Sequence, residues 1–220
     1  MEAPPALSED GFEIHFATNH LGHAMLIHEL LPVLLRTAAT PDSDVRVVTL
    51  TSAGWKMHPP AGIWYDTLRT KQDKITRSWA RYRYSQCSPI LYNTYSRICS
   101  QSKLANIVYA AELARRYPQI LSVSVHPGVV TTDLVNNLSA SRKALVYTAN
   151  WVQGISLIPP EKGCLNQLWA AAGSERTEVV NGAFYMPVGV LSNNKLDSVA
   201  KSEDFASELW RWTEEVLRNI

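Results

Sequence analysis

At 220 residues the chain is long enough for one sizeable domain with its own core, and its 46% hydrophobic content is that of a folded globular protein. A formal net charge of +1 excludes the strongly basic surface that nucleic acid or an anionic membrane demands. Three cysteines, at positions 87, 99 and 164, share no short spacing, which excludes a disulfide framework and a zinc site and fits a reducing, cytoplasmic setting.

The opening Met1-Glu2-Ala3-Pro4-Pro5 has no basic patch followed by an apolar run, so it does not read as a signal peptide. A helix is expected over about 10–35, with Asp10 and Glu13 as a capping box. Ile14, Phe16, Leu21, Met25, Leu30 and Leu34 recur along it at roughly helical spacing, and Pro32 should bend its last turn. Residues 45–51 are β-branched and nearly all apolar, as a strand buried on both faces should be. A polar region follows over 54–78, then a helix over 100–117. A second buried strand, 120–125, is closed by His126-Pro127-Gly128.

Residues 129–160 form a substrate-loop region. Its longest apolar stretch, 144–160, is broken by Asn150, Gln153 and Gly154, which argues against a membrane span. A helix at about 161–173 precedes a third strand over 183–188. The terminal helix, 202–217, sets Phe205, Leu209, Trp212 and Val216 on one face. Strands alternating with helices in this way predict a single α/β domain over 1–220, a parallel sheet with helices on both faces.

His15, His20, His23 and His28 lie on the first helix, but at 100° per residue they spread around it and do not converge on a metal. Ser52 at a strand end reads, alone, as a turn residue, and Lys103 in a helix as a solvated one. Asn19 in mid-helix is unfavourable without a partner and points to a role.

In order, these pieces resemble the short-chain dehydrogenase/reductase family, and in particular fungal members related to retinol dehydrogenases. The resemblance covers essentially the whole chain. Thr18-Asn19-His20-Leu21-Gly22-His23 is similar to the family's asparagine-bearing helix, and Val47-Val48-Thr49-Leu50-Thr51-Ser52-Ala53-Gly54 resembles the strand that ends in the active-site serine. Ser100-Gln101-Ser102-Lys103-Leu104-Ala105-Asn106 is similar to the helix that carries the catalytic lysine. His126-Pro127-Gly128-Val129-Val130-Thr131-Thr132 resembles the loop that contacts nicotinamide.

The resemblance implies a Rossmann-like, doubly wound parallel sheet and NAD- or NADP-dependent interconversion of a ketone and an alcohol. It makes Ser52 the anchor of the substrate oxygen, Tyr82 the acid/base, Lys103 its pKa tuner and ribose ligand, and Asn19 the orienting residue. Val130 and Thr132 would contact the nicotinamide amide. A phenol works as acid/base only when its pKa falls well below about 10, and an ammonium one helical turn away favours the phenolate.

Two stretches depart from the family's pattern. The glycine-rich Thr-Gly-x-x-x-Gly-x-Gly turn that holds the pyrophosphate is not in the sequence. The chain is therefore expected to start after the family's fourth strand, to lack the N-terminal strands, to leave an apolar sheet edge uncovered and to bind NAD(P)H poorly. The second departure is the anomalous insert 83–99. Removing it joins Tyr82 to Ser100 and restores Tyr-x-x-x-Lys, whereas in the sequence as it stands Cys99 holds the position one turn before Lys103. The insert shows no helical or strand period, its length suits a small intron read through as coding sequence, and it is expected to be a poorly packed loop.

The substrate implied is small and lipophilic, of the secondary-metabolite kind, because Leu134, Leu145, Tyr147 and Trp151 make the loop apolar and aromatic. The expected partners are that substrate and, in a homo-oligomer, copies of the chain itself, with no nucleic acid and no membrane span. Two rival readings are a non-catalytic remnant acting as a binding protein and a cofactor-independent isomerase or lyase built on Ser52 and Lys103.

Overall fold

A computed structural model describes residues 5–72, 94–131 and 157–220. The first helix begins later than the capping-box pattern suggests. Residues 8–12 form a turn, with Ser8 N–H donating to the Phe12 carbonyl at 2.7 Å. Glu13 is the true cap: its buried carboxylate accepts from the backbone N–H groups of His15 and Phe16, which opens α1, Ile14–Phe16. A five-residue π-helical segment, Ala17–Leu21, follows, and then α2, Gly22–Ala38. α2 runs on through Pro32, beyond the predicted end. Pro32 and His28 are both exposed, so the carbonyl that Pro32 cannot bond is open to water.

β1, Arg46–Leu50, pairs in parallel with β2, Leu121–Val125, from Arg46 opposite Leu121 to Leu50 opposite Val125. The helix between them is α3, Thr94–Arg116. It starts six residues before the predicted helix and thus takes in the end of the supposed loop 83–99, a correction to the sequence reading. β3, Val129–Val130, and β4, Leu157–Ile158, make a separate parallel pair. Beyond them come α4, Pro160–Gly163, α5, Leu165–Leu168, and a π segment, Trp169–Gly173, in place of one predicted helix. β5, Phe184–Met186, pairs in parallel with β2, and β6, Val190–Leu191, returns antiparallel to β5. α6, Glu203–Leu217, closes the domain, capped by Ser202 Oγ accepting from Phe205 N–H. Among the described residues the main sheet runs β1-β2-β5-β6, and the fold is α/β and Rossmann-like.

Alternation along each strand builds the two layers. Val47 and Phe184 pack into the larger cluster with Phe16, Leu104, Leu113, Leu209 and Trp210. Val48 and Tyr185 face the opposite cluster of Leu121, Val123, Val125 and Ala170, with Trp169 against it. β2 is fully buried although every second residue is serine. Ser122 Oγ donates to the Ala110 carbonyl of α3 at 2.8 Å, so a small, satisfied side chain lets the helix lie close on the sheet. β1 is only half-buried, against the prediction of a strand covered on both faces. It has a strand neighbour on one side alone among the described residues.

Candidate active site

Parallel packing brings the C-terminal ends of β1 and β2 side by side, the edge where ligands of open α/β sheets bind. Thr51, just past β1, is buried. Its N–H donates to the Val125 carbonyl at 2.9 Å and its Oγ1 to the Lys103 carbonyl at 2.7 Å. Asn106, one turn further along α3, donates to the Leu50 carbonyl at 3.1 Å. Two side chains therefore stitch the lysine-bearing turn of α3 to the end of β1. Ser52 follows immediately and caps the short 3-10 helix Ala53–Met57, its Oγ accepting from Gly54 N–H at 3.2 Å.

Asn19 lies in the π segment, a helical irregularity that occurs frequently at functional sites. Its Nδ2 donates to Ser102 Oγ at 3.1 Å and reaches Cys99 Sγ at 3.8 Å. Ser102 Oγ in turn donates to the Cys99 carbonyl at 2.8 Å. The partner that the sequence reading required for a mid-helix asparagine is thus the α3 turn carrying Lys103. Burial pushes the Lys103 ammonium below its ordinary range, while the negative charge available to Cys99 pulls it back up.

On the β2 side, His126 is 4% exposed, and its Nδ1 has no hydrogen-bond partner among the described residues. Burial first, and the positive charge of Lys56 second, lower its pKa to about 4, so the ring is neutral at physiological pH. Its backbone is pinned from both sides. The N–H donates to the Tyr185 carbonyl at 2.9 Å, and the carbonyl accepts from buried Asn166 Nδ2 at 2.8 Å. Gly128, at φ +91°, then turns the chain into β3, a conformation that a side chain would strain. Val130 pairs with Ile158 and packs on Gly163, where a Cβ would stand 2.8 Å from Val130 Cγ2.

Asn19 meets the α3 turn of Lys103 at Ser102 and Cys99, and Ser52 follows the strand end to which the Lys103 carbonyl is tied through Thr51. Tyr82, Thr132 and the aromatic loop residues 134–151 lie outside the described residues, as does most of 83–99. Cys99, the last residue of that insert, is within α3. Thr51, Ser102, Asn106, Asn166 and His126 were missed as site residues. Asn106 and Asn166, amides inside helices, carried the same signal that singled out Asn19. The four histidines separate: His15 meets Glu13 at 2.8 Å, His20 meets Thr213 at 3.0 Å, His28 meets Glu214 at 3.4 Å, and His23 is exposed.

A nicotinamide dinucleotide fits one end of this arrangement. Lys103 is half-buried near Cys99 and would hold a ribose hydroxyl, and the 126–130 loop follows β2 at the same sheet end. For the pyrophosphate, no glycine-rich turn joining a strand to a long helix exists among the described residues.

No protein-family model matches the chain. It is 31% identical to an uncharacterized oxidoreductase of Schizosaccharomyces pombe over 227 residues, covering 100% of this chain and 59% of the relative. It is 32% identical to a short-chain dehydrogenase/reductase of Aspergillus calidoustus over 230 residues, with coverage of 99% and 65%. With human retinol dehydrogenase 14 the identity is 32% over 213 residues, with coverage of 95% and 53%. The chain thus spans between 53% and 65% of the length of these relatives. A crystal structure of a protein from Mycobacterium paratuberculosis, described as putative and uncharacterized, superposes with a TM-score of 0.61 at 26% identity, covering 99% of this chain and 63% of that one. Among the described residues no helix is long and apolar enough to cross a membrane.

Proposed function

The chain belongs to the short-chain dehydrogenase/reductase family, and we propose that it acts as an NAD(P)-dependent oxidoreductase interconverting a ketone and an alcohol on a small lipophilic substrate of the secondary-metabolite kind. The observation that carries this reading is the stitching of the Lys103 turn to the strand end at Thr51-Ser52, with Asn19 on its other side.

Lys103 and the 126–130 loop would hold the dinucleotide, whose nicotinamide would supply a hydride to the carbonyl carbon or take one from the alcohol carbon. The rest is the work of this chain. Ser52 Oγ already accepts from Gly54 N–H, so its own proton is free to donate to the substrate oxygen. Lys103 has lost part of its water, and an ammionium so placed gains more from a neighbouring anion than one in bulk solvent. It therefore favours a phenolate beside it and holds a ribose hydroxyl. Tyr82 exchanges the proton with the substrate oxygen. Thr51 and Asn106 fix the backbone of the Lys103 turn, and Asn19 orients its neighbour Ser102.

A second reading, a binding protein without turnover, is favoured by one observation: Cys99, and no phenol, stands one turn before Lys103 on α3. The test is oxidation of NADPH and NADH by the purified chain with a panel of lipophilic ketones. Turnover that falls about two to four orders of magnitude in Tyr82→Phe supports the enzyme with Tyr82 as its acid/base. Absence of both nucleotide binding and turnover supports the second reading.

A further inference from the structure

A groove of about 320 Å³ lies between the 3-10 turn Tyr65–Thr67 and the last turns of α6, and none of its lining residues belongs to the proposed active site. Its walls are aromatic. Trp212 packs edge-on against Phe12, with ring centroids 6.1 Å apart, and lies 5.1 Å from Tyr65. Aromatic faces carry negative potential and attract cations. One such contact is already made: the Arg69 guanidinium sits 4.2 Å over the Phe12 ring.

The charges around these rings are out of balance. Asp66 and Glu215 both line the groove, both are exposed, and neither carboxylate forms an ion pair among the described residues. The C-terminal end of α6 already has its own cation. Arg218, at the cap, donates Nε to the Glu214 carbonyl at 3.1 Å. Against two carboxylates, the groove itself contains one cation, Arg69, lodged on one of three rings.

From these aromatic walls and unpaired carboxylates we infer that the groove binds a small quaternary ammonium compound, with Trp212 and Tyr65 facing its methyl groups and Asp66 and Glu215 its charge. The volume is that of a small-molecule site. Such a cation is weakly hydrated and is held through ring faces as well as carboxylates, whereas a metal ion finds no group of three ligands among the described residues. Arg69 is a competitor for the same potential, so its removal opens the Phe12 face.

Choline and its uncharged carbon isostere, 3,3-dimethylbutan-1-ol, are titrated into the full chain by calorimetry. Choline is expected to bind saturably and the isostere about five-fold or more weakly. Asp66→Asn and Glu215→Gln, both surface changes, should each weaken choline by roughly two- to five-fold. Arg69→Ala should tighten it by about two-fold or more, a gain that misfolding does not produce. Equal binding of choline and the isostere, no choline binding at all, or an Arg69→Ala variant that binds no better would overturn the assignment.

Discussion

Asn19 donates its side-chain amide to Ser102 at 3.1 Å, joining the π-helical irregularity of the first long helix to the turn of α3 that carries Lys103. The bond is buried, and it links two pieces of chain that the sequence keeps far apart. Removing Asn19 costs more than the bond's net worth, because the buried Ser102 Oγ then lacks its donor away from water. Asn19→Leu should therefore lower stability by about 1–3 kcal/mol, read from urea denaturation. If Asn19 serves only packing, nucleotide affinity will be unchanged in the same variant. If it orients the lysine turn, affinity and stability will fall together.

Cys99 precedes Lys103 by one helical turn, the spacing at which side chains on a helix meet. Cys99→Tyr puts a phenol into that position without altering the rest of the chain. Nicotinamide-linked turnover should rise in this variant, and Lys103→Ala should abolish the gain. No gain, in a variant that folds and binds nucleotide, would mean that position 99 does not reach the reacting oxygen.

His20 is buried, and desolvation lowers its pKa from 6.5 to about 4, outweighing the raising effect of the Asn106 side chain. The native state thus resists a proton that the unfolded chain accepts. Between pH 6.5 and about 4 the unfolded state binds more protons, so stability falls as pH drops through that window and is restored above it. His126 shifts in the same direction and to the same value, and adds to the effect. Equilibrium unfolding at pH 7 and pH 4.5 should differ by about 5 kcal/mol in total, about half from each histidine. His20→Gln keeps a polar group near Thr213 and should reduce the difference. An unchanged pH dependence in that variant would assign the acid sensitivity elsewhere.

Gly163 has no room for a side chain, since a Cβ there would lie 2.8 Å from Val130 Cγ2. Gly163→Ala should cost about 1–3 kcal/mol through overpacking. Adding Val130→Ala should return part of the loss, and thermal denaturation of the two single variants and the double variant gives the coupling. Additive effects would show that the 126–130 loop and α4 are not held by this contact.

The sequence by itself determined the element types and their order. Continuous β-branched apolar runs, helical spacing and the Pro127-Gly128 turn are local signals, and the parallel β1–β2 and β2–β5 pairings follow from strands separated by helices. Asn19 was legible because an asparagine in mid-helix is unusual for its local structure, whereas Ser52 and Lys103 are ordinary for theirs and were legible only through the order of the motifs that resemble the family. The tertiary structure decided what joins them. Thr51, Ser102 and Asn106 act through hydrogen bonds to backbone and side chains far away in sequence, and no spacing rule announces such a partner. It also decided where α3 begins. Residues 94–99 lack a clear helical period of their own, yet Cys99 Sγ meets Asn19 Nδ2, a contact that exists only once the π segment before the first long helix has docked on α3. Helix termini are settled by such packing because local propensity there is worth a few tenths of a kcal/mol per residue, at most about 1, less than one buried hydrogen bond and its surrounding contacts supply.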